Sequence, residues 1–459
     1  MSENMSSQID SNETMIHENE SLDLTSVSPH KKVNLVTLSW ISISIAWLFY
    51  LYEYILRVSP AVISNQIMTE FSVTATAVGA ISGAYYWSYV PLQIPCGIIA
   101  DRLGARKVII FSCLLCILGS FVFSLSTSYT TAIFSRILMG AGSACAYICC
   151  SKVAAEWFHP HKFATLTAIT MFMGTLGASL NTVFAIVVKA FGWQQAFVIF
   201  ALLGLLIVVA AWTLMKEKVS LLSNNSAPTI IKNTNSSLEQ NSYFDGLKIV
   251  VKNRDNWLVG LYGCVMYLPL CAFAELWGVP FLCKKYGITP EAAAQACVWV
   301  FLGMGIGCIA GAAISNTIKS RKKVLSWSII ATFISFCIIF HIENLSFKVM
   351  QFVMAFAGFV SGGQILYFTV AKEQTPLQYS ATAVSFINAL VMCSGIIFQP
   401  LLGKILDLSW KGLKSSDGIR IYEITDFQNA FNVVLLALII GWILILFVKE
   451  SYQDSNNEL

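Results

Sequence analysis

Glu53 and Arg57 stand four residues apart in the run Tyr50-Leu51-Tyr52-Glu53-Tyr54-Ile55-Leu56-Arg57-Val58-Ser59-Pro60. That spacing places both side chains on one helical face, where they can pair. An arginine inside an apolar helix is expensive, and it faces a partner or a water-filled cavity. Its planar fork of donors matches the two oxygens of a carboxylate. Two readings stay open: a site in which Arg57 grips an anion and Glu53 handles a proton, or a structural ion pair near the end of the helix. Glu275 lies in a second apolar run, with no basic residue within eight positions. It either takes up and releases a proton or sits hydrated near a mouth of the protein. Arg136, in a third run, either joins the site or holds backbone carbonyls. Tyr267 lies close to Pro269, which predicts a kink. Gln364, Tyr367 and Asn388 are further polar groups in apolar segments, each a ligand-binding group or a bridge between helices.

These residues are embedded in a chain that is too apolar for a soluble protein. Of its 459 residues 56% are hydrophobic and 12% charged, and the mean hydropathy is +0.68. Soluble domains carry about twice that charge fraction. The apolar residues come in runs long enough to cross a bilayer at ~20 residues each. A soluble enzyme, a nucleic-acid binder and a disulfide scaffold are excluded. No P-loop, nucleophile elbow or metal motif is present, and the chain is not expected to be an enzyme. The thirteen cysteines all fall in apolar segments, Cys113, Cys116, Cys145, Cys149 and Cys150 among them, and read as free, buried small hydrophobes. None has a spacing to cysteine or histidine that fits a zinc site.

Twelve spans are expected, over residues 34–56, 76–99, 107–126, 130–151, 162–187, 195–215, 256–282, 293–315, 325–341, 347–371, 380–403 and 427–448. Residues 1–32 read as a polar, acidic, disordered tail. A six-helix bundle over 33–215, a polar linker over 216–254, a second six-helix bundle over 255–449 and a short tail over 450–459 follow. Two bundles of equal size joined by a linker suggest a repeated architecture. With the N-terminus in the cytoplasm, nineteen Lys and Arg residues fall in inner loops and eight in outer ones. Arg57 and Arg136 within spans complete the 29. This bias places both termini inside.

The loop after the second span reads Gly97-Ile-Ile-Ala-Asp101-Arg102-Leu-Gly104-Ala-Arg106-Lys107. It resembles the G-x-x-x-D-R-x-G-x-R-[KR] signature of the major facilitator superfamily, in the position where that family carries it. A degenerate copy follows the eighth span, Gly311-Ala-Ala-Ile-Ser315-Asn316-Thr-Ile-Lys319-Ser-Arg321-Lys322-Lys323, with Ser315 in place of the acid. Arg136-x-x-x-Gly140-x-Gly142 resembles the family's span-four motif. The resemblance covers residues 33–450 and implies an all-α membrane protein of twelve transmembrane helices in two six-helix bundles, the major facilitator fold. Gly97, Asp101, Arg102, Gly104 and Arg106 would then form a conformational latch at the cytoplasmic face. Gly174-Thr-Leu-Gly177-Ala178 lacks the proline and final glycines of the drug-antiporter signature. Its glycines, like those of Gly303-x-Gly305-x-Gly307-x-x-x-Gly311, are read as close helix packing.

The stretch from Arg57 to Phe71-Ser72-Val73-Thr74, with Tyr89-Val-Pro-Leu-Gln93-Ile94-Pro95, resembles the organic-anion symporter branch. That resemblance puts Arg57 on the arginine that grips a substrate carboxylate and Tyr89 on a substrate-site tyrosine. The branch has an acid where this chain has Leu56, and a span-four glutamate where it has Ser143. The Tyr-Glu-Tyr-x-x-Arg-Val-Ser-Pro run and Ala274-Glu275-Leu276-Trp277-Gly278-Val279-Pro280 are similar to the phagosomal transporter group, whose members carry amino acids or nucleosides. The resemblance implies a secondary active transporter of the cell inner membrane. Proton-coupled uptake of an amino acid or small organic acid is the favoured activity. A nucleoside or other metabolite carrier, an exporter and a non-transporting nutrient sensor are the alternatives. The expected substrate-binding residues are Arg57, Tyr54, Tyr89, Arg136, Tyr267, Gln364 and Asn388, with Glu53 and Glu275 for the proton. The expected partners are a small-molecule substrate, H+ and the lipid bilayer. No nucleic acid, cofactor or metal is expected, and the protein is expected to be a monomer.

Overall fold

The computed structural model describes residues 29–216, 246–376, 379–415, 418 and 420–452. Of the expected tail over 1–32, residues 1–28 lie outside the described residues and 29–32 are helical; most of the linker and the last residues of the C-terminal tail also lie outside. Residues 246–252, expected as linker, are helical.

Eleven helices among the described residues are long and apolar enough to cross a membrane. They are span one Leu35–Val58, span three Ala105–Ser124, span four Tyr129–Trp157, span five Thr165–Phe191, span six Trp193–Leu214 and span seven Arg254–Tyr286. Span eight Pro290–Ile318, span nine Arg321–His341, span ten Phe347–Glu373, span eleven Thr382–Ser409 and span twelve Ile424–Leu446 complete the set. Between the first two runs Ala75–Leu103, a helix of 29 residues with Pro91 and Pro95 inside it, is span two. Apart from an isolated bridge between Lys414 and Arg420, the described residues form no β-structure. The expected spans fall on these helices, with ends that differ by a few residues.

Several spans are interrupted. Span one stops at Val58 because Pro60 has no N–H for the carbonyl of Leu56, and a new helix, Pro60–Glu70, begins there. Span four breaks between Ser143 and Ala146. Span ten tightens into a 3-10 turn over Gly362–Ile365. Span seven loosens into a π-helix over Pro269–Trp277, all nine residues of it buried, where the sequence predicted only a kink. Such π segments are rare and gather at functional sites.

The glycines of span eight pack as expected. A Cβ on Gly307 would lie 1.9 Å from the Phe359 carbonyl oxygen, and one on Gly303 would lie 2.1 Å from that of Ala355. Both therefore let span ten approach backbone to backbone. Gly305 turns to Thr175 of span five instead. Gly307→Val should force spans eight and ten apart at a cost of ~1–3 kcal/mol. A lowered thermal unfolding midpoint in detergent would report it, and an unchanged midpoint would contradict the packing.

Aromatic side chains cluster in each half. Phe123 packs on Phe197 at 4.6 Å and on Trp193 at 5.5 Å between ring centres. In the second half Phe340 stacks on Phe431 at 4.4 Å, with Phe273 and Phe281 against them. One cysteine reading is corrected. Cys96 of span two and Cys145 at the break in span four, read as free, are joined as a disulfide. The other eleven are free, seven of them buried.

Candidate functional site

The carbonyl of Leu56, left without its helical donor by Pro60, accepts instead from Arg136 Nη1 at 2.7 Å and from the Ser59 hydroxyl at 2.9 Å. Arg136 Nη2 donates to the carbonyl of Arg57 at 3.3 Å. A span-four arginine thus closes the C-terminal end of span one, where unpaired carbonyls favour a cation. Of the two sequence readings for Arg136, these contacts are those of an arginine that holds backbone carbonyls and so fixes Arg57 one residue along.

Arg57 folds back on its own helix. Its Nη2 donates to both oxygens of Glu53, each at 3.1 Å. The Tyr85 hydroxyl donates to Glu53 Oε2 at 2.6 Å. The guanidinium lies over the ring of Tyr54 at 4.2 Å and that of Tyr89 at 4.8 Å. Glu53 is 0% and Arg57 2% exposed. Two charges removed from water this completely need good geometry and added hydrogen bonds to persist. Tyr85 supplies one such bond, and the flat faces of Tyr54 and Tyr89 supply cation–π attraction. Arg57 Nε is buried and has no hydrogen-bond partner among the described residues.

Glu275 lies in the π segment of span seven, 1% exposed. Tyr267 of the same span donates to its Oε1 at 2.7 Å. Tyr86 of span two, in the other half of the protein, donates to its Oε2 at 2.5 Å. Tyr86 in turn lies against Gly395 of span eleven, where a Cβ would meet its ring at 2.4 Å. Only glycine lets the tyrosine cross the boundary between the halves at that point.

The structure therefore brings Glu53, Tyr54, Arg57, Tyr89 and Arg136 into one cluster, and Tyr267 and Glu275 into a second. Tyr85 and Tyr86, adjacent on span two, touch one cluster each. Neither was singled out from the sequence. Their signal was the i, i+1, i+4 set Tyr85, Tyr86 and Tyr89, three hydroxyls on consecutive faces of an apolar helix. Asn388 of span eleven donates to Gln93 Oε1 of span two at 3.0 Å, a further bond across the halves. Gln364 sits in the 3-10 turn of span ten with its Nε2 on Met304 Sδ at 3.5 Å. Its Oε1 is buried with no partner among the described residues. Among the described residues no three His, Cys, Asp or Glu side chains gather as a metal site.

Gly104, the one-residue connection between spans two and three, holds a φ of +80°. Arg106 donates to the carbonyl of Trp212, and Arg102 is exposed. The side chain of Asp101 lies outside the described part of the structure. In the degenerate copy Arg321 pairs with Glu373 at 2.9 Å and donates to Ser315 and Asn316. The acid missing at Ser315 is thus supplied from the end of span ten. Glu450 caps the start of span nine through Ser320 and the backbone N–H of Arg321. Burial would raise its carboxyl, but these hydrogen bonds hold it below the usual glutamate range.

The chain matches the sequence profile of the Major Facilitator Superfamily over residues 40–400 and again over 278–458. Two relatives from Bacillus subtilis (strain 168) align along most of it. The uncharacterized transporter YybO is 24% identical over 418 residues, covering 86% of this chain and 90% of the relative. The probable galactarate/D-glucarate transporter GudP is 22% identical over 475 residues, covering 95% and 99%. A bacterial homolog of the human lysosomal transporter Spinster superposes with a TM-score of 0.72 at 16% identity, over 90% of this chain and 97% of that one.

Proposed function

The chain belongs to the Major Facilitator Superfamily, and is thus a multi-pass membrane transporter rather than an enzyme. On that premise we propose that it takes up a small carboxylate-bearing solute, an organic acid or amino acid, in symport with H+. It works as a monomer in a cell inner membrane, with both termini in the cytoplasm. The observation that carries this reading is the buried Glu53–Arg57 pair in its tyrosine frame. With Glu53 ionised, Arg57 is satisfied internally. With a proton on Glu53, the guanidinium is released to take a carboxylate from the solute, so anion and proton enter together. A galactarate/D-glucarate transporter among the relatives supports a carboxylate as cargo.

The two halves rock about this centre, exposing it to one side and then the other. Gly97, Asp101, Arg102, Gly104 and Arg106 act as the latch of the inner face. Tyr54, Tyr89, Tyr267, Gln364 and Asn388 shape the pocket, and the unpartnered Gln364 Oε1 offers an acceptor to a hydroxyl or an ammonium group.

Uptake of labelled hexuronates, aldarates and amino acids into proteoliposomes, with and without an inward proton gradient, tests the proposal. Accumulation of at least one carboxylate solute should depend on the gradient. Uptake confined to uncharged solutes such as nucleosides, or indifferent to the gradient, would overturn it. Reporter fusions after residue 235 and at the C-terminus should both report cytoplasm, and a periplasmic signal at either would reverse the orientation.

A further inference from the structure

Span two begins at Ala75, yet its N-cap residue Thr74 makes no side-chain capping bond to the helix. The first N–H groups of a helix have no partner within it and must be satisfied from elsewhere. Here the partners come from the opposite half. The backbone N–H of Ala75 donates to the Tyr422 hydroxyl at 3.2 Å, and that of Thr76 to Asp407 Oδ2 at 2.9 Å. The Thr76 hydroxyl donates to the same oxygen at 2.5 Å. Asp407 is at the far end of span eleven. Its Oδ1 accepts from Tyr422 at 2.6 Å and from Arg420 at 3.0 Å, so the loop before span twelve orients it. The backbones touch alongside: a Cβ on Gly403 would lie 2.3 Å from the Ala75 carbonyl oxygen.

The repeated architecture places a counterpart at the matching ends of spans five and eight. There Lys189 faces Glu291 at 3.6 Å, with Lys189 largely exposed. A single exposed ion pair at that distance contributes little. The two clamps are unequal: among the described residues the hydrogen bonds that cross the halves here gather at Asp407 and Tyr422.

We infer that Asp407 is the clamp of the outer gate, a positioning residue that sets which side the central site faces by capping a helix of the other half. An anion at a helix N-terminus is favoured by the helix dipole as well as by the N–H groups. Parting the halves at this face strands both the carboxylate and the span-two N–H groups, so the clamp favours the state closed to the outside. The inference rests on the alternating-access reading and on the cytoplasmic placement of both termini, but on no substrate or coupling ion.

Hydrogen–deuterium exchange of the full-length protein in nanodiscs, without substrate, tests it separately from the transport proposal. In Asp407→Ala, amides of residues 75–80 should exchange at least tenfold faster. Those at the opposite ends of the same two helices, residues 93–103 and 382–390, should exchange at least threefold slower as that face closes. Tyr422→Phe removes one donor and one acceptor while leaving the carboxylate, and should give the same opposed pattern at smaller amplitude. It serves as the readout if Asp407→Ala does not fold. Faster exchange at residues 75–80 alone, with the opposite ends unchanged, would show a merely local cap and overturn the inference. So would an equal response in Lys189→Gln.

Discussion

Replacing Arg57 with alanine should weaken binding of a carboxylate solute by two orders of magnitude or more. A charge-assisted hydrogen bond is worth roughly 1.5–3 kcal/mol. Removing one member of a buried pair costs more, ~3–5 kcal/mol, because the other charge stays behind uncompensated. Each ~1.4 kcal/mol is a factor of ten in affinity. Arg57→Lys should recover only part of the loss, since an ammonium cannot lie flat between Tyr54 and Tyr89 and offer two parallel donors. The discriminating comparison is between the acid and its amide, measured by calorimetry on the purified protein. The amide should bind wild type poorly and be nearly indifferent to Arg57→Ala. If acid and amide suffer equally, and the double variant Glu53→Gln, Arg57→Gln restores transport, the pair is structural and Arg57 is not the anchor.

Glu275→Gln should leave substrate exchange intact while abolishing accumulation driven by a proton gradient. Glutamine keeps an oxygen acceptor for one of the hydroxyls of Tyr86 and Tyr267 and can donate its amide N–H to the oxygen of the other, so the pocket stays formed. It has no proton to exchange. Counterflow in proteoliposomes reads the first property and gradient-driven uptake the second. The same pair of assays applied to Glu53→Gln separates the two carboxylates. If both variants still concentrate substrate, neither couples the proton.

The spans were legible because a bilayer imposes a length and a composition on any helix that crosses it. The Glu53–Arg57 pair was legible for an equally local reason, the four-residue rise of one helix. The contacts that join the halves were not. Tyr86 meets Glu275 across 189 positions, and Thr76 meets Asp407 across 331. Nothing in the neighbourhood of Asp407 distinguishes it from an acid that marks the end of a span. The π-helix was half visible: Pro269 announced a disturbance, but whether the helix bends or widens depends on what packs around it. Cys96 and Cys145 lie 49 residues apart, each in an apolar run that suits a free thiol equally well. Arg136 was visible as a costly residue, while its partners, two carbonyls at the end of another span, one of them freed by a proline, were not.

Glu53 and Arg57 belong to the same turn of the same helix, whereas the carboxylate of Glu275 is held partly from across the divide. Only an interaction whose strength differs between two conformations can bias one against the other. Both members of the ion pair ride on span one, so swinging the halves does not by itself part them. The phenol of Tyr86 reaching Glu275 spans the two halves, so on the alternating-access reading it would be lost and remade as they swing. On the proposed reading the first recognises the cargo, and the second is where the direction of the cycle would be registered.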